Sequence, residues 1–133
     1  MAEQFMVGGI KMSLPLILGA GVAKHPHQAL TYLQSDAQVG AVLSGSYTLS
    51  ERAGNQGNLV WPADFGSLTE HGFGLNAYGM PNIGLAKAIE LFPENPEKPH
   101  IVSIAGFKAS DYTDMLKLLK GNQHIAGVEI NGG

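Results

Sequence analysis

The chain has 133 residues, of which 44% are hydrophobic and 14% charged, and its formal charge at pH 7 is −3. This length fits one domain, residues 1–133, with a buried core, and the composition excludes an intrinsically disordered chain. A single arginine and a net negative charge argue against nucleic acid as a partner, because neutralising phosphates requires clustered Lys and Arg. The absence of cysteine excludes disulfides and thiolate metal sites and is typical of a reducing compartment.

Nothing in the sequence indicates a membrane or export signal. The longest apolar run, Leu14–Ala23, is too short to span a bilayer and is interrupted by Pro15 and two glycines. The N-terminal residues lack the basic region of a signal peptide. We therefore expect a cytoplasmic protein without a membrane partner.

Taken in chain order, the pattern predicts a small hairpin followed by alternating strands and helices. The hairpin is expected around Gly8-Gly9, within Phe5–Met12. Apolar runs typical of strands covered on both faces occur at Leu14–Gly19, Val39–Leu43, His100–Ala105 and Ile125–Ile130, and a short strand is expected at Leu59–Trp61. Helical spacing predicts helices at His27–Ser35 and Gly84–Leu91, and a third from the N-cap Ser110 to Lys120, before Gly121.

Strand–helix alternation of this kind predicts an α/β fold with a parallel sheet. Two architectures fit it, a doubly wound sheet and a (β/α)8 barrel. A full barrel takes roughly 250 residues, so this chain would supply about half of one. No helix follows the last predicted strand, which would leave a sheet edge exposed, and we expect the chain to be part of a larger structure.

The stretch Gly74–Gly84 combines three glycines, a proline and two asparagines. Glycine allows a ligand to approach the main chain closely, and each Asn side chain carries two donors and an acceptor in one planar group. An elaborate turn leading into a helix would explain part of this composition. We favour a loop that holds a planar, polar small molecule.

Other candidate positions follow the predicted strands. Gly19-Ala20-Gly21 invites a dinucleotide-binding interpretation, but the G-x-G-x-x-G pattern fails because Lys24 stands where the third glycine belongs. His25 and His27 lack a third ligand nearby, so we predict a solvated pair at a helix start and no metal site. Glu129 and Asn131 have the same parity on the last strand and are expected on one face.

Several of these segments together resemble the dihydroorotate dehydrogenase family of FMN-dependent barrels, in its soluble class, because no additional helix precedes the first strands. The likeness covers essentially the whole chain, in order. It is carried by Gly9–Met12 with Leu14–Val22, by Val39–Leu49 with Arg52 and Gly54-Asn55, by Leu75–Asn82, by Ile101–Gly106 and by Gly127–Asn131. The resemblance implies that the fold is the first four βα units of a TIM (β/α)8 barrel, a half-barrel.

The same resemblance implies the binding residues. Ala20 and Gly21 match backbone that lies against the flavin. Asn131 matches an asparagine that contacts both flavin and substrate. Ser44 and Ser46 flank Gly45 at the end of the second strand, where hydroxyls can meet a ligand, although a polar strand exit is the commoner explanation; with Gly45 they are the candidate FMN contacts of this strand. The residues that match the loop holding the orotate-like substrate are Asn76, Tyr78, Gly79 and Met80, with Tyr78 where the family more often has Met.

Three departures from the family pattern affect the expected activity. Gly45 occupies the position of a lysine that bonds flavin and substrate. The general base of the family would lie beyond Gly133, so no catalytic residue is assigned within the chain. The phosphate-binding loops after strands 7 and 8 are absent as well. We therefore expect little or no dehydrogenase activity from the isolated chain.

Two functions of different classes are consistent with these observations. The first is an FMN-dependent oxidoreductase that converts dihydroorotate to orotate in pyrimidine biosynthesis, represented here by its N-terminal half. The second is a non-catalytic half-barrel that acts as a binding or self-association module through its sheet edges, and we expect a homo-oligomer. A barrel specific for another flavin or phosphate ligand is a third, generic possibility, because fold does not determine function.

Overall fold

The computed structural model describes residues 4–35, 38–62, 70 and 72–133. In chain order its elements are β1 (Phe5–Val7), β2 (Ile10–Met12), β3 (Ile17–Leu18), α1 (Pro26–Leu33), β4 (Ala41–Tyr47), β5 (Val60–Trp61), β6 (Leu75–Asn76), α2 (Leu85–Glu90), β7 (His100–Ala105), α3 (Ala109–Leu119) and β8 (Gly127–Asn131). No helix in the described part of the chain has the length and apolar character needed to cross a membrane.

The centre of the fold is a four-stranded parallel sheet with the strand order β3-β4-β7-β8. Helices connect the successive strands, as the alternating pattern predicts, so the mixed α/β class with a parallel sheet is confirmed. Among the described residues this sheet is open at β3 and at β8, and a closed barrel stays a prediction.

The helices cover one face of the sheet, because every second residue of the strands is apolar or buried there. On β7 these residues are His100, Val102 and Ile104, each at most 1% exposed. The larger core cluster contains Tyr47, Leu85, Ala88, Phe92, Val102, Ile104, Met115 and Leu119, and a second cluster under α1 contains Ala23, Ala29, Leu33, Val39 and Val42. Burial of each large aliphatic side chain contributes roughly 1.5–3 kcal/mol, so this layer positions the strand ends rigidly.

The predicted hairpin is present, with Gly8 and Gly9 at positive φ in its turn. It lies beside the amino ends of β7 and β8, where the Ile10 side chain is in such close contact with Gly127 that an added Cβ would be 2.9 Å from it. Two further antiparallel strands, β5 and β6, pair outside the main sheet. The predicted strand at residues 59–61 is thereby confirmed to within one residue.

Several predicted boundaries are wrong. The helices α1 (Pro26–Leu33) and α2 (Leu85–Glu90) differ from their predicted ranges by one or two residues. The first sheet strand is only Ile17–Leu18, because Pro15 cannot donate a ladder hydrogen bond. The α3 helix begins at Ala109 after the N-cap Lys108, so Ser110 lies inside the helix and does not cap it. The last strand starts at Gly127 and not at residue 125.

The end of the second strand is the most consequential of these differences. The sequence predicts that the second strand ends before Ser44, whereas β4 continues through Gly45 and Ser46 to Tyr47. Between Ser44 and Tyr47 the strand carries one more residue than the facing part of β7, which is a β-bulge. Bulges reverse the alternation of side chains and are frequent beside active sites.

Candidate functional site

A cleft of about 300 Å³ lies at the carboxyl ends of β3, β4 and β8, beside the loop that follows β6. Ligands of parallel α/β sheets bind at this edge, because loops from several strands converge there. The residues that line the cleft are Ala20, Gly21, Lys24, Gly45, Ser46, Asn76, Tyr78, Met80, Pro81, Glu129 and Asn131. All of the site residues predicted from the sequence are among them except Ser44 and Gly79.

The bulge in β4 decides which of the two serines reaches the cleft. Ser44 is fully buried on the helix-covered face, where its Oγ lies 2.7 Å from Nε2 of His100. Within the bulge, Ser46 faces the opposite side and lines the cleft. The predicted pair of ligand-binding hydroxyls is therefore divided, and only Ser46 is in a position to contact a ligand.

Gly79 shapes the loop instead of lining the cleft. Its φ is +72°, and an added Cβ would lie 2.9 Å from the side chain of Asn55. Its carbonyl accepts a hydrogen bond of 3.0 Å from Nε of Arg52, the single arginine of the chain. The next residue, Met80, also has positive φ (52°), which is uncommon for a side-chain-bearing residue and is found preferentially at functional sites.

The loop is held against the end of β4 by the side chain of Asn82. Its Oδ1 accepts hydrogen bonds from the backbone N–H groups of Thr48 (3.1 Å) and Gly84 (2.9 Å). Its Nδ2 donates to the Met80 carbonyl (2.9 Å) and to Oγ1 of Thr48 (2.9 Å). Because every polar atom of this amide is used, Asn82 holds the loop in place, which leaves Asn76 as the loop asparagine that lines the cleft.

A series of side-chain hydrogen bonds at the cleft links β8 to β4, β4 to β7 and β7 back to β8. Nδ2 of Asn131 is 3.0 Å from Oγ of Ser46, which is 2.7 Å from Oγ of Ser103, which donates to Oε1 of Glu129 at 2.7 Å. An ionised carboxylate only accepts hydrogen bonds, so the direction of each bond follows from Glu129. Ser103 donates to Glu129, Ser46 to Ser103 and the Asn131 amide to Ser46.

This series of hydrogen bonds orients the Asn131 side chain, and a further contact fixes the backbone of Asn131. The phenol of Tyr112 on α3 donates a hydrogen bond of 2.6 Å to the Asn131 carbonyl. The predicted shared face of Glu129 and Asn131 is thus confirmed, since both line the cleft. Sequence reasoning missed Ser103. Its hydroxyl links Ser46 on β4 to Glu129 on β8, so its role becomes visible only when the pairing of these strands is known.

Sequence reasoning also missed Lys24 as a cleft residue. Its Nζ lies 5.4 Å from the centroid of the Tyr78 ring, within the range of a cation–π contact. The nearest signal in the sequence was its position three residues after Gly21, in a turn that follows a strand. The neighbouring histidines lie at the start of α1 as predicted, where Nδ1 of His25 accepts from the His27 N–H at 3.2 Å.

A larger, open groove of about 650 Å³ lies at the amino ends of β7 and β8. Its walls are the hairpin turn, the segment before β7 and the segment before β8 (Gly8–Lys11, Glu94–Pro99, Gln123, His124 and Ala126). This edge is opposite to the one where parallel sheets bind ligands. We therefore assign the candidate site to the smaller cleft.

Comparison with known proteins gives consistent results. The chain is 29% identical over 126 residues to the catalytic subunit of dihydroorotate dehydrogenase B (NAD(+)) of Endomicrobium trichonymphae, a match that covers 92% of this chain and 39% of the relative. It is 29% identical over 130 residues to a putative dihydroorotate dehydrogenase A (fumarate) of Pediococcus pentosaceus, covering 94% and 40%. The corresponding enzyme of Lacticaseibacillus paracasei is 32% identical over 93 residues, covering 70% and 31%.

The chain thus spans about two fifths of the length of the first two relatives. Residues 3–132 match the model of the family described as dihydroorotate dehydrogenase. This match takes in nearly every residue, including all four segments that form the cleft. The chain therefore belongs to the dihydroorotate dehydrogenase family.

Proposed function

We propose that this chain forms the substrate-loop part of an FMN-dependent oxidoreductase that converts dihydroorotate to orotate in pyrimidine biosynthesis. One observation carries the proposal: the amides of Asn76 and Asn131 and the backbone of Ala20 and Gly21 meet in one cleft. Planar amides can pair with the edge of a pyrimidine or of an isoalloxazine ring. Family membership and the names of the relatives support the same reaction.

The lining of the cleft fits a planar heteroaromatic ring. Its volume of about 300 Å³ is near the lower end of ligand sites, which span about 300–1,000 Å³. At Gly21 an added Cβ would meet no atom within 4 Å, so the backbone there is open to close approach. Ala20, Gly21, Ser46 and Asn131 would hold a flavin, which when bound supplies the capacity to accept a hydride.

The residues of the loop would hold the substrate. Asn76 presents donors and an acceptor, while Tyr78 and Met80 supply apolar surface that excludes water from one side of the ring. The hydrogen-bond chain from Glu129 keeps the Asn131 amide in one orientation, so its free surface is the same each time a ligand enters. The carboxylate of Glu129 already accepts from Ser103, and we assign it no proton-transfer step.

The proposal is tested first by flavin binding to the purified 133-residue chain. The chain is mixed with FMN, passed through gel filtration and examined for the visible absorbance of oxidised flavin. We expect flavin to elute with the wild-type protein. We expect a smaller amount of bound flavin to elute with Asn131→Ala. The variant Asn58→Ala, which changes an exposed asparagine that does not line the cleft, is the control.

A colourless wild-type protein at saturating FMN would contradict the proposal for this chain. If equal amounts of flavin eluted with Asn131→Ala and Asn58→Ala, the flavin would not be bound in this cleft. Dehydrogenase activity is measured in the same samples with dihydroorotate and an artificial electron acceptor. Turnover by the isolated chain at the rate of complete family members would refute the expectation that it has little or no activity.

A second candidate function is self-association of the half-barrel, and the apolar surface at β8 favours it. Val128 and Ile130 continue the helix-covered face of the sheet beyond α3, yet they are 36% and 54% exposed. Val128 and Leu116 on α3 border an apolar groove of about 500 Å³. A second copy of this chain would cover this surface, and sedimentation equilibrium would then give a mass that increases with concentration.

A further inference from the structure

Lys24 provides the positive charge of the cleft. It is the only cationic side chain among the described residues that line it. The side chain extends from the turn after β3, and the residue is exposed. None of the ion pairs formed within the described residues involves Lys24. Its ammonium group is therefore available to an anion that enters the cleft.

The other walls of the cleft cannot supply a second cation. Gly45 lies at φ +109°, and an added Cβ would be 2.6 Å from the carbonyl oxygen of Ser103 and 2.9 Å from the backbone nitrogen of Tyr47. A side chain of any kind is strained at this position. The charged group on the β8 side is the carboxylate of Glu129, which repels anions. An anionic ligand would therefore have its charge at the Lys24 side.

The ammonium group of Lys24 lies over the ring of Tyr78, another residue that lines the cleft. The distance of 5.4 Å between Nζ and the ring centroid corresponds to a weak cation–π contact for an exposed lysine. A charge-assisted hydrogen bond to a carboxylate or phosphate oxygen is stronger than such a contact. Lys24 can consequently contact an anionic oxygen while its alkyl chain stays beside the Tyr78 ring.

We propose that Lys24 is the anion-binding residue of this cleft and contacts the charged oxygen of a planar ring ligand. The inference rests on the proposed function, since it adds a charge to the ring-binding site described above. Two sources could supply such an oxygen: the carboxylate of an orotate-like substrate and the phosphate of FMN. The shared chemistry is an anionic oxygen, and the two sources are separable by experiment.

The experiment measures the dissociation constants of four ligands in pairs that differ in charge. Orotate and uracil differ by the carboxylate, and FMN and riboflavin differ by the phosphate. Each is titrated into the wild-type chain and into Lys24→Met, Lys24→Arg and Lys11→Met, with chemical-shift changes or flavin fluorescence as the readout. Lys11 is an exposed lysine on β2, at the opposite edge of the sheet, and serves as the matched control.

We expect Lys24→Met to raise the dissociation constant of the charged ligand in one pair by about tenfold, which corresponds to the loss of one charge-assisted hydrogen bond. The dissociation constant of its neutral counterpart should stay unchanged. Loss for orotate alone identifies the carboxylate, and loss for FMN alone identifies the phosphate. Lys24→Arg should retain most of the affinity. Added salt should weaken binding of the charged ligand to the wild-type protein more than binding to Lys24→Met.

Three outcomes would overturn the inference. Equal weakening of charged and neutral ligands would mean that Lys24 acts only by supporting Tyr78. Unchanged binding in Lys24→Met would show that the anion lies elsewhere, while the proposed function itself would stand. A wild-type chain that binds none of the four ligands would contradict the proposed function together with the role of Lys24.

Discussion

Acidification should destabilise this fold through His100. The side chain is 1% exposed, its Nε2 lies 2.7 Å from Oγ of Ser44, and its ring packs edge-on against Phe92 at a centroid distance of 4.6 Å. Burial disfavours the charged imidazolium and lowers the pKa of His100 from 6.5 to about 4. The folded chain therefore holds a neutral histidine across a pH range in which the unfolded chain takes up a proton.

The sign and size of the effect follow from this difference. Between pH 6.5 and pH 4 the unfolded state binds more protons than the folded state, so the free energy of unfolding decreases as the pH falls. The contribution is complete above pH 6.5 and is lost towards pH 4. At about 1.4 kcal/mol per pH unit, the loss amounts to about 3 kcal/mol.

Urea unfolding at pH 7 and pH 4.5 tests this prediction on the wild-type chain, His100→Gln and His124→Gln. Glutamine retains a hydrogen-bonding group for Ser44 but does not titrate, whereas His124 is exposed and controls for the loss of a histidine. We expect wild type and His124→Gln to lose about 2–3 kcal/mol more than His100→Gln between the two pH values. The same pH dependence in all three proteins would refute the reasoning.

Two further substitutions test how the cleft is built. Asn82→Ala removes the acceptor of two backbone N–H groups and should lower the free energy of unfolding by about 2–4 kcal/mol, whereas Asn58→Ala should have little effect in the same urea titration. A small effect of Asn82→Ala would mean that the loop does not depend on this amide. Gly45→Ala places a methyl group against the Ser103 carbonyl at positive φ and should cost about 1–3 kcal/mol in thermal unfolding, while Gly21→Ala, which meets open space, should be nearly neutral. Equal melting temperatures for the two alanine variants would contradict the steric account.

The local parts of the fold were predictable because their signals are local. The strand His100–Ala105 has the predicted bounds, since its apolar, β-branched run lies between Pro99 and Gly106. The hairpin at Gly8-Gly9 and the course of α2 are likewise determined by neighbouring residues. Such signals require no knowledge of which elements pack together.

The candidate site was predictable in part. Ala20 follows β3 and Asn131 ends β8, and parallel strands bring their carboxyl ends to one edge. Asn76 lies in the glycine- and asparagine-rich stretch whose composition already predicted a ligand-binding loop. Resemblance to the family then distinguished these residues from ordinary turn residues. By contrast, Ser44 shows the limit of this approach, because the same local sequence fits a strand that ends and a strand that bulges.

Sequence alone determined the alternation of strands and helices, the absence of cysteine chemistry and the family, because each is encoded in contiguous residues. Tertiary structure decided the rest. Strand pairing at the bulge directs Ser46 to the cleft and Ser44 to the core, and packing of the loop brings Tyr78 to Lys24, more than fifty residues earlier. Side chains alternate with a period of two along a strand, so a single additional residue reverses which of them a ligand can reach.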